Sequence, residues 1–298
     1  MSLFPKWFIG EFVGTFLVVF FGCGSICTAV TSGATAGVFQ VAIVWGLGIA
    51  IAIYLTSALS GAHLNPAVTL SLATWTHFSK KLAAPYMVAQ FCGAFVAAIV
   101  LYFIFSDALG SFEQAVGIAR GRPGSEASAM VFGEFFPNPG GRPLTALAKL
   151  RMSAFSAFAA EAIATAILLL VFCCVTDKRN HSHPKGLTAL TIGLTVTLLM
   201  CLLSPFTMGC FNPARDLGPR VFSSLAGWGT IPFQVNGLGW LTVYIIGPLL
   251  GGWLGGAVYY FCFKKAYQEV DEPEGESIQK LHEKTGRPAD RKLANERF

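Results

Sequence analysis

The tripeptide Asn-Pro-Ala occurs twice in this chain, each time in an apolar segment that is too short to cross a membrane. The two copies are Asn65, Pro66 and Ala67, and Asn212, Pro213 and Ala214. Proline suits the first turn of a helix, where its missing N–H has no partner to lose, and asparagine directly before it is a good N-cap. Each copy therefore predicts the start of a short helix, within residues 63–74 and 211–225.

Six longer apolar runs surround these two segments, and each is long enough to cross a bilayer. They are residues 7–30, 38–59, 82–105, 152–176, 186–203 and 238–263. The chain is 54% hydrophobic and 12% charged, whereas soluble domains contain about 25% charged residues. This composition indicates an integral membrane protein. We interpret the first run as a retained span, because it is long for a signal-peptide core and contains Glu11.

The long runs and the short segments form an internal repeat. Three runs and one short segment occur in about residues 7–105 and again in about residues 151–263, on either side of a long stretch at residues 106–151. Because each unit has an odd number of crossings, the second is inverted relative to the first. The predicted fold class is an all-α membrane protein with six transmembrane helices plus two re-entrant half-helices that meet at mid-membrane.

Basic residues at the ends of the runs indicate how the chain is oriented. Those that flank one face are Lys6, Lys80, Lys81, Lys178, Arg179, Lys185, Lys264 and Lys265. Cytoplasmic loops carry an excess of Lys and Arg, so this face, with both termini, is predicted to be cytoplasmic. Residues 1–263 then form a membrane channel domain with an outer loop at 106–151 over the pore mouth, and residues 264–298 form a charged cytoplasmic tail. A bacterial inner membrane is the expected location.

Two helix N-termini that point at one spot create a positive potential there, because each carries about half a positive charge. Cations and protons are repelled at such a spot, whereas the amides of Asn65 and Asn212 can donate hydrogen bonds to a passing neutral oxygen. Glu11 and Glu161 occupy similar positions in the two units. We interpret both as braces for the backbone of the re-entrant segments, since irregular backbone at membrane depth is tolerated only when it is buried or lines water.

The residues around both motifs resemble a known family. They read Ser-Gly-Ala-His-Leu-Asn-Pro-Ala-Val-Thr at 60–69, Phe-Asn-Pro-Ala-Arg-Asp-Leu-Gly-Pro-Arg at 211–220 and Ala-Gly-Trp-Gly at 226–229. With these stretches the chain is similar to the major intrinsic proteins, the aquaporins and aquaglyceroporins, over about residues 7–263. The resemblance implies an aquaporin-like homotetramer with one pore per subunit. It also implies a stripe of pore-lining backbone carbonyls from Gly61, Ala62, His63, Met208, Gly209 and Cys210.

The selectivity filter of that family corresponds to four positions here, Trp45, Met200, Gly209 and Arg215. A guanidinium at a filter can donate to a solute hydroxyl while it repels cations. Asp216 resembles the glycerol-conducting branch, since strict water channels commonly carry a small residue at its position. Gly209 stands where an aromatic residue is usual and Met200 where a small one is usual, so the aperture is either wider or only reshaped.

These features predict a passive channel for glycerol and other small uncharged solutes, with water permeability and exclusion of protons and ions. A water-selective aquaporin stays open as the alternative, because Tyr244 and Ile245 stand where glycerol facilitators usually have Pro-Leu. A secondary active transporter is disfavoured, since coupling needs ionisable groups near the binding site. Glu11 and Glu161, placed as braces, are the only carboxylates that we assign to the membrane.

Other functional classes find little support in the sequence. No Ser/His/Asp set, His-rich cluster or phosphate-cradling loop is evident, so we expect no enzyme activity, no cofactor and no metal site. His63 has no other metal-binding residue beside it and is assigned to packing. The basic residues form no long stripe, which argues against nucleic acid as a partner. The expected partners are glycerol, water, similar neutral solutes and the lipid bilayer.

Overall fold

A computed structural model of the chain describes residues 4–34 and 37–271, and these residues form helices and connecting loops. In chain order the main helices are α1 (Lys6–Ser32), α2 (Val38–Ser60), α3 (Pro66–Trp75), α4 (Lys80–Ala115), α5 (Ala154–Thr176), α6 (Thr188–Thr207), α7 (Pro213–Ser223) and α8 (Gly239–Glu269). All except α3 and α7 are long and apolar enough to cross a membrane. The predicted fold class, with six spanning helices and two half-helices, is confirmed.

The two Asn-Pro-Ala motifs begin the half-helices α3 and α7, with asparagine as the N-cap and proline as the first helical residue. The side-chain oxygen of Asn65 accepts the N–H of Ala67 at 2.8 Å. The oxygen of Asn212 accepts the N–H groups of Ala214 at 3.1 Å and Arg215 at 3.3 Å. At about 1.5 Å per residue, helices of 10 and 11 residues reach only about halfway across a hydrocarbon core of roughly 30 Å.

Corresponding helices of the two repeat units make corresponding packing contacts. In the first unit α1 packs against α2 and α4, and in the second α5 packs against α6 and α8. The units join where α2 crosses α6, with Gly46 and Gly193 so close that a Cβ on either would collide with the carbonyl oxygen of the other. The half-helices exchange partners, because α3 packs on α8 of the second unit and α7 packs on α4 of the first. This exchange ties the two units together.

The structure differs from the sequence interpretation in the stretch 106–151. Helix α4 continues to Ala115, so the first part of the stretch is helical. Residues 125–137 then turn back into the protein and are buried throughout. Their small and apolar composition accounts for this, since burial removes apolar surface from water. Part of the stretch therefore enters the protein beside α7, and its position over a pore mouth stays a prediction.

Arg120 anchors this buried loop to α4. Its guanidinium donates to the carboxylate of Glu113 at 2.9–3.1 Å and to the hydroxyl of Tyr102 at 2.7 Å. It also lies 4.1 Å from the centre of the Trp228 ring. Ser128 closes the cluster, since its hydroxyl donates to Glu113 at 2.7 Å and accepts from the Trp228 indole at 2.9 Å. The Ala-Gly-Trp-Gly stretch thus helps to hold the loop in place.

The predicted charged tail at residues 264–298 is only partly described. The chain is helical over Lys264–Asp271, which continues the last membrane span. Residues 272–298, with most of the acidic run, lie outside the described residues.

Candidate pore and selectivity filter

The two half-helices meet at their asparagine caps. The Nδ2 atom of Asn65 donates to the carbonyl of Phe211 at 2.7 Å. The Nδ2 atom of Asn212 donates to the carbonyl of Leu64 at 2.8 Å. Each asparagine therefore binds the loop of the other repeat unit. A side-chain amide has two N–H donors, so one on each asparagine makes no hydrogen bond within the described residues, at the point where both half-helices direct their positive ends.

Glu11 and Glu161, both fully buried, hold the two re-entrant loops from behind. Glu11 accepts the backbone N–H groups of His63 at 3.0 Å and Leu64 at 2.8 Å. Glu161 accepts those of Cys210 at 3.1 Å and Phe211 at 2.9 Å. A trans peptide points its N–H and its preceding carbonyl in opposite directions. The carbonyls of Ala62, His63, Gly209 and Cys210 are therefore directed away from the glutamates.

The loops need this support because their backbone adopts unfavourable conformations. Ala62 and Leu64 have φ values of +51° and +53°, and Met208 and Phe211 have φ values of +67° and +51°. Residues with a side chain rarely adopt this left-handed region, which persists only where the surroundings over-determine it. Two hydrogen bonds from each loop to a buried carboxylate supply that constraint.

Two small chambers reach both asparagines and share an apolar wall, and together they form the candidate lumen. The side chains of that wall are Val18, Ile49, Leu168 and Val196, and both chambers reach Asn65 and Asn212. The first chamber is completed by Ala62, His63 and Leu64, and the second by Gly209, Cys210 and Phe211. The lumen therefore has one apolar side, from the spanning helices, and one polar side, from the re-entrant loops.

The second chamber brings together the four residues assigned to the filter, Trp45, Met200, Gly209 and Arg215. The guanidinium of Arg215 lies 4.3 Å from the centre of the Trp45 ring, and only 2% and 3% of these two residues are exposed. Helix α7 supplies Arg215 from its first turn, and α2 supplies Trp45 from the facing wall. A desolvated cation on an indole face is stabilised by about 2 kcal/mol, so the contact orients both side chains.

Met200 occupies space that Gly209 leaves open. A Cβ added to Gly209 would lie 3.3 Å from Cγ of Met200 and 3.3 Å from the ring of Phe211. Gly209 also has a φ of +76°, where any side chain would strain the backbone. Of the two alternatives for the aperture, this geometry favours a reshaped filter over a wider one.

Several residues assigned to the carbonyl stripe have other contacts. Gly61 and Met208 are the C-caps of α2 and α6. The ring of His63 packs against two aromatic rings, and its Nδ1 atom lies 3.2 Å from the hydroxyl of Thr69. The thiol of Cys210 is buried and donates to the carbonyl of Asn212 at 3.2 Å. His63 and Cys210 thus present backbone rather than free side-chain groups to the lumen.

An acid that the sequence interpretation missed lies beside the filter. The carboxylate of Glu134 forms an ion pair with Nη2 of Arg215, and its side chain is fully buried. The sequence interpretation, which assigned only Glu11 and Glu161 to the membrane, did not include this buried acid. A signal was present in the sequence, because Glu134 is the only charged residue in the apolar stretch 127–137. Leu64 and Phe211, whose carbonyls bind the asparagines, were also missed.

Asp216 lies behind the filter in a buried network. Its carboxylate accepts two N–H groups of Arg220 at 2.8 Å and the backbone N–H of Glu134 at 2.8 Å. Arg220 in turn donates to the carbonyls of Glu134 and Pro232. Asp216 thus supports the loop that carries Glu134, and its value as a marker of glycerol conduction stays a prediction.

The chain is similar to known proteins of one family over most of its length. The model of the major intrinsic protein family matches residues 2–259. The glycerol uptake facilitator protein of Escherichia coli strain K12 is 39% identical over 252 residues, 84% of this chain and 85% of that protein. The propanediol uptake facilitator PduF of Salmonella typhimurium is 37% identical over 257 residues, 86% of this chain and 92% of that protein.

A solved structure shares the fold as well. The X-ray structure of the aquaglyceroporin from Plasmodium falciparum matches with a TM-score of 0.74 and 26% identity, over 89% of this chain and 98% of that chain. The family match spans both half-helices, both braces and all four filter positions. The relatives are uptake facilitators, which agrees with the expectation that the chain is not an enzyme. The chain belongs to the major intrinsic protein family.

Proposed function

We propose that this protein is a passive channel for glycerol and similar small uncharged solutes, with water as a second permeant. The observation that carries the proposal is the two-sided lumen, with apolar side chains on one wall and loop carbonyls and amides on the other. A polyol has a carbon side and a hydroxyl side and can present each to the matching wall. The relatives named as facilitators of glycerol and propanediol uptake support this class of solute.

A solute that passes through the lumen meets the hydrogen-bonding groups one after another, beginning at the filter. At the filter, Arg215 donates to a solute hydroxyl while the ring of Trp45 contacts the carbon side. In the chambers, loop carbonyls accept from the hydroxyl groups. Between the chambers, Asn65 and Asn212 each donate a free N–H to the same oxygen atom of the solute or of a water molecule. An oxygen atom held in this way cannot pass a proton along a file of water molecules. The positive half-helix ends repel cations at this point.

The test introduces a bulky side chain into the lumen. Val196 on α6 lines both chambers, whereas Leu198 on the same helix is 66% exposed. In stopped-flow light scattering on proteoliposomes, wild type should pass glycerol far faster than empty vesicles. Val196→Trp should reduce the flux to background, and the matched control Leu198→Trp should retain it.

Other outcomes of this experiment are equally informative. Rapid water flux without glycerol flux in wild type would replace the proposal by the water-selective alternative. Glycerol flux that Val196→Trp leaves unchanged would mean that solutes follow a different path.

We further propose a homotetramer in the cell membrane, with both termini cytoplasmic and residues 1–263 as the channel domain. Six apolar spans support a multi-pass protein, and the bacterial relatives support an inner membrane. Exposed aromatic side chains such as Phe103 and Phe155 need lipid or another subunit to cover them. Native mass spectrometry in mild detergent tests the tetramer, and protease protection of a terminal tag in inside-out vesicles tests the orientation.

A further inference from the structure

Arg215 is not a lone charge at the filter, because its Nη2 atom is paired with the carboxylate of Glu134. Both side chains are buried. A buried charge without a partner is strongly destabilising, whereas a partner of opposite charge compensates it in part. The pairing therefore explains how a guanidinium can be held at the wall of an otherwise apolar chamber.

The backbone of Glu134 is clamped on both sides. Asp216 accepts its N–H at 2.8 Å, and Arg220 donates to its carbonyl. Asp216 and Arg220 also bind each other through two contacts of 2.8 Å. Because both belong to α7, the half-helix that carries Arg215 also sets the position of Glu134 against it.

These four charged residues form two buried ion pairs. Arg215 pairs with Glu134, and Arg220 pairs with Asp216. The two pairs together carry no net charge, whereas Arg215 alone would add a positive charge to the filter. In the part of the chain that the structure describes, the Arg215 guanidinium forms the ion pair with Glu134 and no hydrogen bond to a side chain. Its remaining N–H groups are therefore left for a solute.

We propose that Glu134 is a positioning residue of the selectivity filter, which neutralises Arg215 and directs its free N–H groups towards the lumen. Ion exclusion at the filter then depends on the pair rather than on the arginine alone. A filter that keeps the carboxylate without the guanidinium attracts cations, and one that keeps the guanidinium without the carboxylate attracts anions. This inference rests on the pore proposed above, since it requires that solutes pass Arg215.

The experiment compares wild type, Glu134→Gln, Arg215→Met and the double variant in proteoliposomes. Glutamine has nearly the size of glutamate and leaves the backbone clamp intact. The rates of nitrate and potassium leak and the glycerol flux are measured for each form. Wild type should leak neither ion above the vesicle background. We expect Glu134→Gln to raise the nitrate leak and Arg215→Met to raise the potassium leak, each at least about tenfold, and the double variant to raise neither.

Two controls separate charge from structure. Glu126 is a buried acid of the same loop whose carboxylate accepts the N–H groups of Gly124 at 2.8 Å and Leu144 at 2.9 Å, so Glu126→Gln should change neither leak. Glu134→Asp keeps the charge on a shorter side chain and should retain the ion exclusion of wild type. A nitrate leak in this variant as large as in Glu134→Gln would overturn the proposal.

The proposal is also overturned when Glu134→Gln leaks no more nitrate than wild type, or when the double variant leaks as much potassium as Arg215→Met. A merely structural role for Glu134 would raise both leaks together rather than one of them. The glycerol measurement is a separate result. Wild type without glycerol flux would refute the proposed solute, while the ion leaks would still report on the charge pair.

Discussion

Single buried carboxylates decide whether the re-entrant loops can form. Glu11 accepts two backbone N–H groups, from His63 and Leu64, and a third N–H from the side chain of Gln90 at 2.7 Å. Leucine would leave these donors buried without partners, at about 1–3 kcal/mol each. We therefore expect Glu11→Leu to lower the free energy of unfolding by at least about 2 kcal/mol and to abolish glycerol flux. Thermal unfolding in detergent and stopped-flow light scattering measure the two effects.

The matched variant for this brace is Glu11→Gln, because its carbonyl oxygen can still accept one N–H group. Its melting temperature should lie between those of wild type and Glu11→Leu. A Glu11→Leu protein that melts at the temperature of wild type would show that the loop does not depend on this acceptor.

At the scale of helices, the crossing of α2 and α6 depends on the absence of side chains. A Cβ on Gly46 would collide with the hydroxyl of Thr197 and with the backbone of Gly193, so the helices would have to separate. Overpacking of this kind costs about 1–3 kcal/mol. We expect Gly46→Ala to lower the melting temperature in a thermal scan of the purified protein.

A second helical glycine provides the control for this prediction. Gly110 on α4 would place a Cβ in open space, with no atom within 4 Å. Gly110→Ala should therefore stabilise the protein by up to about 1 kcal/mol, because alanine is the better helix former. Equal effects of the two substitutions would argue against a close crossing.

A polar cluster joins the end of α5 to α8. Asp177 accepts the hydroxyl of Tyr259 at 2.6 Å and the guanidinium of Arg179 at 2.8 Å. Burial alone would raise the pKa of Asp177, but these hydrogen bonds lower it from 3.8 to about 2. A carboxyl with a lowered pKa in the folded state adds stability above its unfolded pKa, and this is lost as the pH falls through the folded pKa.

The prediction from this cluster is a stability difference that depends on pH. The melting temperature of wild type should exceed that of Asp177→Asn by a constant margin at and above about pH 5. The two melting temperatures should converge between about pH 4 and pH 2. Melting temperatures across this range measure the margin. A margin that persists unchanged at about pH 2 would assign the effect to something other than ionised Asp177.

For the molecule as a whole, two chambers that share Asn65 and Asn212 predict transport that equilibrates a solute and never concentrates it. Labelled glycerol should enter proteoliposomes only until the inner and outer concentrations are equal. Imposed proton or sodium gradients should leave that final level unchanged, because among the described residues no carboxylate lines either chamber to bind and release a coupling ion. Accumulation above the outer concentration under either gradient would instead indicate a secondary transporter.

The sequence by itself determined the architecture of this protein. The length and hydrophobicity of a membrane span are local properties, so six spans can be read from single runs of residues. The Asn-Pro start of a half-helix is local too, and the odd number of crossings in each repeat fixes the inversion. The positions of Trp45 and Arg215 at the filter came from the family resemblance, which those same motifs carry.

Only the tertiary structure decided what surrounds the filter. The pairing of Glu134 with Arg215 joins segments that are far apart in the chain, and it goes together with the burial of residues 125–137. A charged residue in a loop is normally solvated, and its burial has to be compensated by hydrogen bonds or, as for Glu134, by a partner of opposite charge. That partner is supplied by the three-dimensional packing of α7 against the loop, which no local pattern of the sequence records.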